Sequence, residues 1–171
     1  AVGDLNTYAL FAEHFLRLIG PAGRAGLIVP TGIATDNSTK MYFDAISSGN
    51  KLISLYDFRT GPGLFSEIGH QRFKFCLITL GEAQETDFVF FALQVHELTD
   101  HRRHFTLEKD DFSLLNPNTR TCPVFRSQMD AELTKRIHQN NQVLKNKSTN
   151  SSGTWNVSLS RMLDKTNDAK D

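Results

Sequence analysis

Leu27, Ile28 and Val29 form an unbroken apolar run, opened by the turn at Ala22-Gly23 and closed by Pro30. A short run of this kind, bounded by Gly and Pro, is the pattern of a strand buried on both faces. Pro30 has no amide hydrogen to give a ladder, so it belongs at the strand's end rather than its middle. The flanks agree with a central strand. Asp4 to Ile19 reads as a helix leading in, capped by Asp4, and Thr35 to Ser47 as a helix leading out. Helix, buried strand, helix is the unit of a layered α/β sheet. Ligands of such sheets sit beyond the carboxyl ends of the strands, here near Pro30, Thr31 and Gly32.

On the first helix Leu5, Tyr8, Ala12, Phe15 and Ile19 recur at helical spacing, and Phe11 and Leu18 widen that apolar face. Gly20-Pro21 stop it. Lys51 to Phe58 is apolar on both faces and suits an interior strand. Phe73 to Leu80 alternates and should pair with it as an antiparallel hairpin. The hairpin loop, Arg59 to Arg72, is too rich in Gly for a helix, yet it holds Leu64, Phe65 and Ile68. A loop of that length within a compact domain is uncommon and often functional. Asp87 to Val95 reads as a further strand. Ser127 opens a helix in which Met129, Leu133 and Ile137 recur every four residues. Lys145 to Gly153 reads as a flexible linker.

Lys plus Arg and Asp plus Glu number 19 each, so the net charge is zero. A broadly basic nucleic-acid binder is excluded, although a local patch is not. Cys76 and Cys122 do not make a disulfide framework. With neither a signal peptide nor a long apolar span, the sequence reads as soluble and cytoplasmic, with no membrane partner. His101 and His104 lack a third ligand at a suitable spacing, so no metal is expected. Asp110-Asp111 reads as a solvated loop pair. Asp130, Glu132 and Lys135 lie on one helix, the wrong spacing for a strand-borne metal nuclease. A Gly-x-Gly-x-x-Gly turn after a strand, a Walker loop and a Gly-x-Ser-x-Gly elbow are all absent. The 171 residues thus hold no self-contained catalyst, and a start without Met at a helix cap leads to the expectation of a fragment.

The stretch DLNTYALFAEHFLRLIGPAGRAGLIVPTGIAT, followed by SLYDF and LFSEIGHQRFKFCLITL, resembles the second half of the catalytic domain of N6-adenine DNA methyltransferases of the Asn-Pro-Pro-Tyr type. NPNTRTCPVFRSQMDAELTKRI and WNVSLSRMLDKTND are similar to segments of large methyltransferase subunits in restriction-modification and phage-defence systems. The resemblance implies a partial Rossmann-like methyltransferase sheet, of the α/β class, with a long-looped antiparallel hairpin followed by an α+β extension. It divides the chain into residues 1–81, the half catalytic domain; 82–144, an extension toward target recognition; and 145–171, a linker or the start of another domain. It implies S-adenosylmethionine as cofactor and double-stranded DNA as partner.

The cofactor loop and Asn-Pro-Pro-Tyr, which lie upstream in that family, are missing here, and Asn116-Pro117 is followed by Asn118-Thr119. No catalytic residue is therefore assigned, and the isolated piece is expected to be inactive. Phe65 matches the phenylalanine that stacks on a flipped adenine; it could equally plug the loop into the core. Pro30 and Thr31 match the strand end lining the base pocket. Asp4, Leu5 and Tyr8 match a segment near the cofactor. Arg59, Arg72 and Lys74 flank the loop and could meet DNA phosphates. The alternative is a non-catalytic DNA-binding or subunit-assembly module. A half-sheet has an open side, which leads to the expectation of association with the remainder of the parent or as a homodimer.

Overall fold

The computed structural model describes residues 6–61, 64–65, 73–144, 146, 155 and 157. Asp4, Leu5 and Arg72 lie outside the described residues, as does nearly all of the expected linker. The first helix, α1 (Thr7–Leu18), takes Asn6 as its N-cap, not Asp4. Ala12 is buried, and Tyr8, Leu16 and Ile19 pack on the core beside it. Phe11, Phe15 and Leu18 turn to solvent instead of widening the buried face.

Strand β1 (Ala25–Pro30) ends at Pro30. The helix expected from Thr35 to Ser47 is two helices, α2 (Gly32–Thr35) and α3 (Lys40–Ser48). The chain breaks at Asp36, whose backbone is extended, and the Thr39 hydroxyl bonds the Gly32 carbonyl at 2.6 Å across the break. The Gly32 carbonyl thus takes a side-chain donor beside its helical one, the Asp36 amide at 3.0 Å. Strands β2 (Leu52–Arg59) and β3 (Lys74–Leu80) form the expected antiparallel pair. The extension adds β4 (Thr86–Ala92), β5 (Phe105–Leu107), α4 (Lys109–Leu115) and α5 (Gln128–Asn140).

The five strands make one mixed sheet in the order β1-β3-β2-β4-β5. β3 is antiparallel to both β1 and β2, while β2 and β4 are parallel, so β1, β2 and β4 share one direction. The fold is α/β, with the extension's strands joined to the same sheet. β1 is a terminal strand rather than a central one: Val29 is buried, but Ile28 is 67% exposed. Burial of both faces needs neighbours that the described residues do not supply on that side.

The main core lies on one sheet face, where Cys76, Ile78, Leu80, Phe88 and Phe90 meet Ile33, Phe43, Ile46 and Phe112. Phe88 stacks on Phe105 with ring centroids 5.4 Å apart. A smaller cluster of Phe58, Val89 and Ala92, flanked by Tyr56, Phe75 and Leu77, lies apart from it. On α5 only Ala131 is buried, while Met129, Leu133 and Ile137 face outward. The four-residue period is real, but the side of α5 toward α4 carries Lys135, which pairs with Asp111 at 2.5 Å. Asp111 is therefore not a solvated loop residue; it also accepts from the Glu108 amide at the start of α4.

Candidate functional site

The shared direction of β1, β2 and β4 brings their carboxyl ends to one edge of the sheet, together with the start of β3. Pro30, Thr31, Arg59, Thr60, Lys74 and Phe91 gather there. Its polar centre is Asp57, only 1% exposed. The Thr31 hydroxyl donates to Asp57 Oδ1 at 2.5 Å, and the Phe91 amide donates to Oδ2 at 3.1 Å. Burial pushes the Asp57 carboxyl above the usual carboxylate range, opposed by those two bonds and by the charges of Lys74 and Arg59. Asp57 thus ties the end of β1 to the end of β4 across β2.

The Phe91 amide is available to Asp57 because β4 is irregular here. From Tyr56 to Phe58 β2 advances two residues, while its partners Val89 to Ala92 advance three. The extra residue is a bulge, a device that re-aims side chains beside ligand sites. Phe91 occupies it with φ +63°, a left-handed backbone that non-glycine residues seldom adopt.

Two of the three residues assigned to base binding, Pro30 and Phe65, meet Phe75. Pro30 is its cross-strand partner on β1. The Phe65 ring meets the Phe75 ring edge-on at 5.2 Å, and Phe75 in turn stacks on buried Phe58 at 5.5 Å. Phe65 itself is 43% exposed, so it is seated on the protein by one edge without being swallowed by the core. Thr31 is buried, with its hydroxyl committed to Asp57 and its amide donating to the Lys74 carbonyl at 3.4 Å. It holds the end of β1 in place. Lys74 lies directly opposite Arg59 on adjacent strands and is exposed.

Of the residues assigned near a cofactor, only Tyr8 is described. It is half-buried on α1, and burial, with Asp36 and Cys76 nearby, pushes its hydroxyl pKa up. A phenol at the first turn of one helix, with no glycine-rich loop in the sequence, does not make a S-adenosylmethionine site. Among the described residues no group of three or more His, Cys, Asp or Glu side chains is placed to hold a metal ion. His104 is held on both sides of its ring: its Nδ1 lies 2.8 Å from Asp87, its Nε2 2.9 Å from the Leu98 carbonyl. No helix among the described residues is long and apolar enough to cross a membrane.

Sequence reasoning missed Asp57, Phe91 and Arg126. A lone carboxylate inside the apolar strand SLYDF was the one available signal for Asp57. Nothing local marks Phe91 as a bulge residue. Arg126 lies far along the chain and is brought to the edge only by the packing of its neighbour: Phe125 meets Phe105 edge-on at 5.5 Å.

No protein-family model and no curated protein matches this chain. Among solved structures, it is similar to a chain described under the structural basis of complex assembly and conformational transition of the type I R-M system. The two share 18% identity, with a TM-score of 0.41, over 90% of this chain and 34% of the other. This chain therefore spans about a third of the length of the solved chain it matches.

Proposed function

We propose that this chain is the second half of the catalytic domain of a DNA adenine-N6 methyltransferase of the restriction-modification type, and that it forms one wall of the pocket for a flipped adenine. The observation that carries the reading is the seat of Phe65. A half-exposed aromatic ring stands on Phe75 beside Pro30, at the sheet edge where ligands of α/β folds bind. The exocyclic amine of adenine cannot be reached inside the base stack, so the base must leave the duplex and needs an aromatic surface to replace its lost neighbours. Phe65 offers that surface, worth ~1–3 kcal/mol per base. Pro30 bounds the pocket with a rigid apolar ring, and Thr31, locked to Asp57, fixes the end of β1 behind it.

The methyl donor in this reading is S-adenosylmethionine, held together with the catalytic motif by residues outside this chain. The partners are double-stranded DNA and the remainder of the methyltransferase, docked against β1. The test is methyl transfer from labelled S-adenosylmethionine to unmethylated DNA by the full-length parent, with Phe65→Ala alongside. Label in adenine that falls ~10-fold or more in the variant is the expected result, from the loss of one stacked base. Label unchanged by the variant returns Phe65 to a packing role. No label from a folded parent overturns the enzyme reading in favour of a binding or assembly module.

A further inference from the structure

Strain, charge and exposure coincide at Phe91. Its left-handed backbone is held by the Asp57 carboxylate, and strain of this kind concentrates at working sites. Two guanidinium groups rest on its ring: Arg126 Cζ lies 4.7 Å from the centroid and Arg59 Cζ 5.4 Å. Such contacts hold the planar donor forks of arginine in place before any ligand arrives. Neither guanidinium forms an ion pair with a carboxylate among the described residues. The Asp57 carboxylate is near enough to feel Arg59 and Lys74, but its oxygens are engaged by Thr31 and the Phe91 amide. Arg59 Nε is buried with no hydrogen-bond partner among the described residues. Lys74 sits directly across from Arg59, a like-charge pairing that disfavours the empty sheet.

Three cations on one edge, two of them pre-aligned on a ring, are what an anionic oxygen cluster would neutralise. We propose that Arg59, Arg126 and the Phe91 ring that carries them form a clamp for phosphate groups of the duplex DNA backbone, with Lys74 beside it. The clamp rests on the reading of duplex DNA as partner and adds Arg126 and Phe91 to the surface that meets it. The clamp and Phe65 sit at the same strand ends but on opposite faces of the sheet, because Arg59 and Lys74 follow in register on Phe58 and Phe75, on which Phe65 stands. The two donors supply position, not sequence recognition.

Each phosphate contact steepens the dependence of log Kobs on log salt by about 0.9. The experiment is fluorescence anisotropy of a short labelled duplex with the 171-residue chain over a salt series. Wild type is compared with Arg126→Gln, Arg59→Gln/Arg126→Gln, Arg59→Lys/Arg126→Lys and Phe65→Ala. The slope should flatten by about 0.9 in Arg126→Gln and about 1.8 in the double glutamine variant, and the lysines should restore it. Arg126 is exposed, so its glutamine variant keeps the fold, checked by circular dichroism. An unchanged slope in Arg126→Gln overturns the clamp, and loss of affinity in Phe65→Ala alone would then leave the base-pocket reading standing. A flattened slope with Phe65→Ala binding like wild type keeps the clamp and removes the base pocket. No binding to the duplex, or an arginine-dependent response to inorganic phosphate without one to the duplex, overturns the assignment to DNA.

Discussion

The two ends of the sheet are finished differently. At one end β5 is only three residues long, and the Thr106 amide is met by the Gln128 side chain at 3.0 Å. A short strand whose edge groups are satisfied by a side chain is how proteins close a sheet. At the other end β1 is six residues long, pairs only with β3 among the described residues, and carries Ile28 exposed on its flank. Beside it α1 presents Phe11, Phe15 and Leu18 to solvent. Neither a charge nor a bulge protects β1. The difference teaches that, among the described residues, the sheet is closed at β5 and left open at β1.

The largest expected effect is at the closed end. Phe88 packs against Phe90, Phe105 and Phe112, so Phe88→Ala should destabilise the chain by about 3–5 kcal/mol in a denaturant melt, the range for a buried ring. A loss below about 1 kcal/mol would contradict a packed closed end.

A smaller effect is pH-dependent. His104 secures the 3₁₀ turn at Val95–Thr99 to β4. Asp87 and the Leu98 carbonyl are both acceptors, so both ring nitrogens can donate to them only when the imidazole is protonated. Burial pushes its pKa down, but the Leu98 carbonyl, Asp87 and Asp100 outweigh it, and the net shift is upward. A pKa raised on folding stabilises fully below the unfolded value, about 6.5. That contribution is lost as pH rises through the higher folded value. Melting temperature should therefore fall from pH 6 toward pH 8 in wild type and less so in His104→Gln. Equal pH dependence in both would dismiss the network as a contributor.

The smallest effect on stability is at the open end. Ile28→Lys on an exposed position should change stability by no more than about 0.5 kcal/mol. It should nevertheless suppress self-association of the chain, because lysine guards edges against pairing. Light scattering that finds wild type cleanly monomeric at high concentration would remove the association that this comparison predicts.

Local signals carried much of the fold. The alternation in Phe73 to Leu80 and the apolar run in Lys51 to Phe58 specified the hairpin that forms between β3 and β2. Ser127 as the cap of α5 was readable because its hydroxyl accepts from the Asp130 amide three residues on. The place of β1 was not readable. An unbroken apolar run reports how a strand is buried in the assembly it evolved for, whereas its rank in the sheet depends on which other strands are present. Which way the α5 stripe faces was not readable for a related reason, since period reveals that a stripe exists but not which partner it meets. The position of Pro30, Thr31, Arg59 and Lys74 at one end of the strands was legible from the strand boundaries. The clamp residues Phe91 and Arg126 were not, because a bulge and a contact between distant segments are set by tertiary packing.

The measurement that tests the central claim most directly is amide hydrogen exchange of β1. The β1 amides that do not bond β3 should exchange quickly in the dilute isolated chain and become protected, by at least 100-fold, in the longer methyltransferase proposed above. Protection of that size corresponds to roughly 3 kcal/mol of local stability. Equally fast exchange of those amides in the parent would contradict the account, since β1 would then be a true edge and the sheet would end with it.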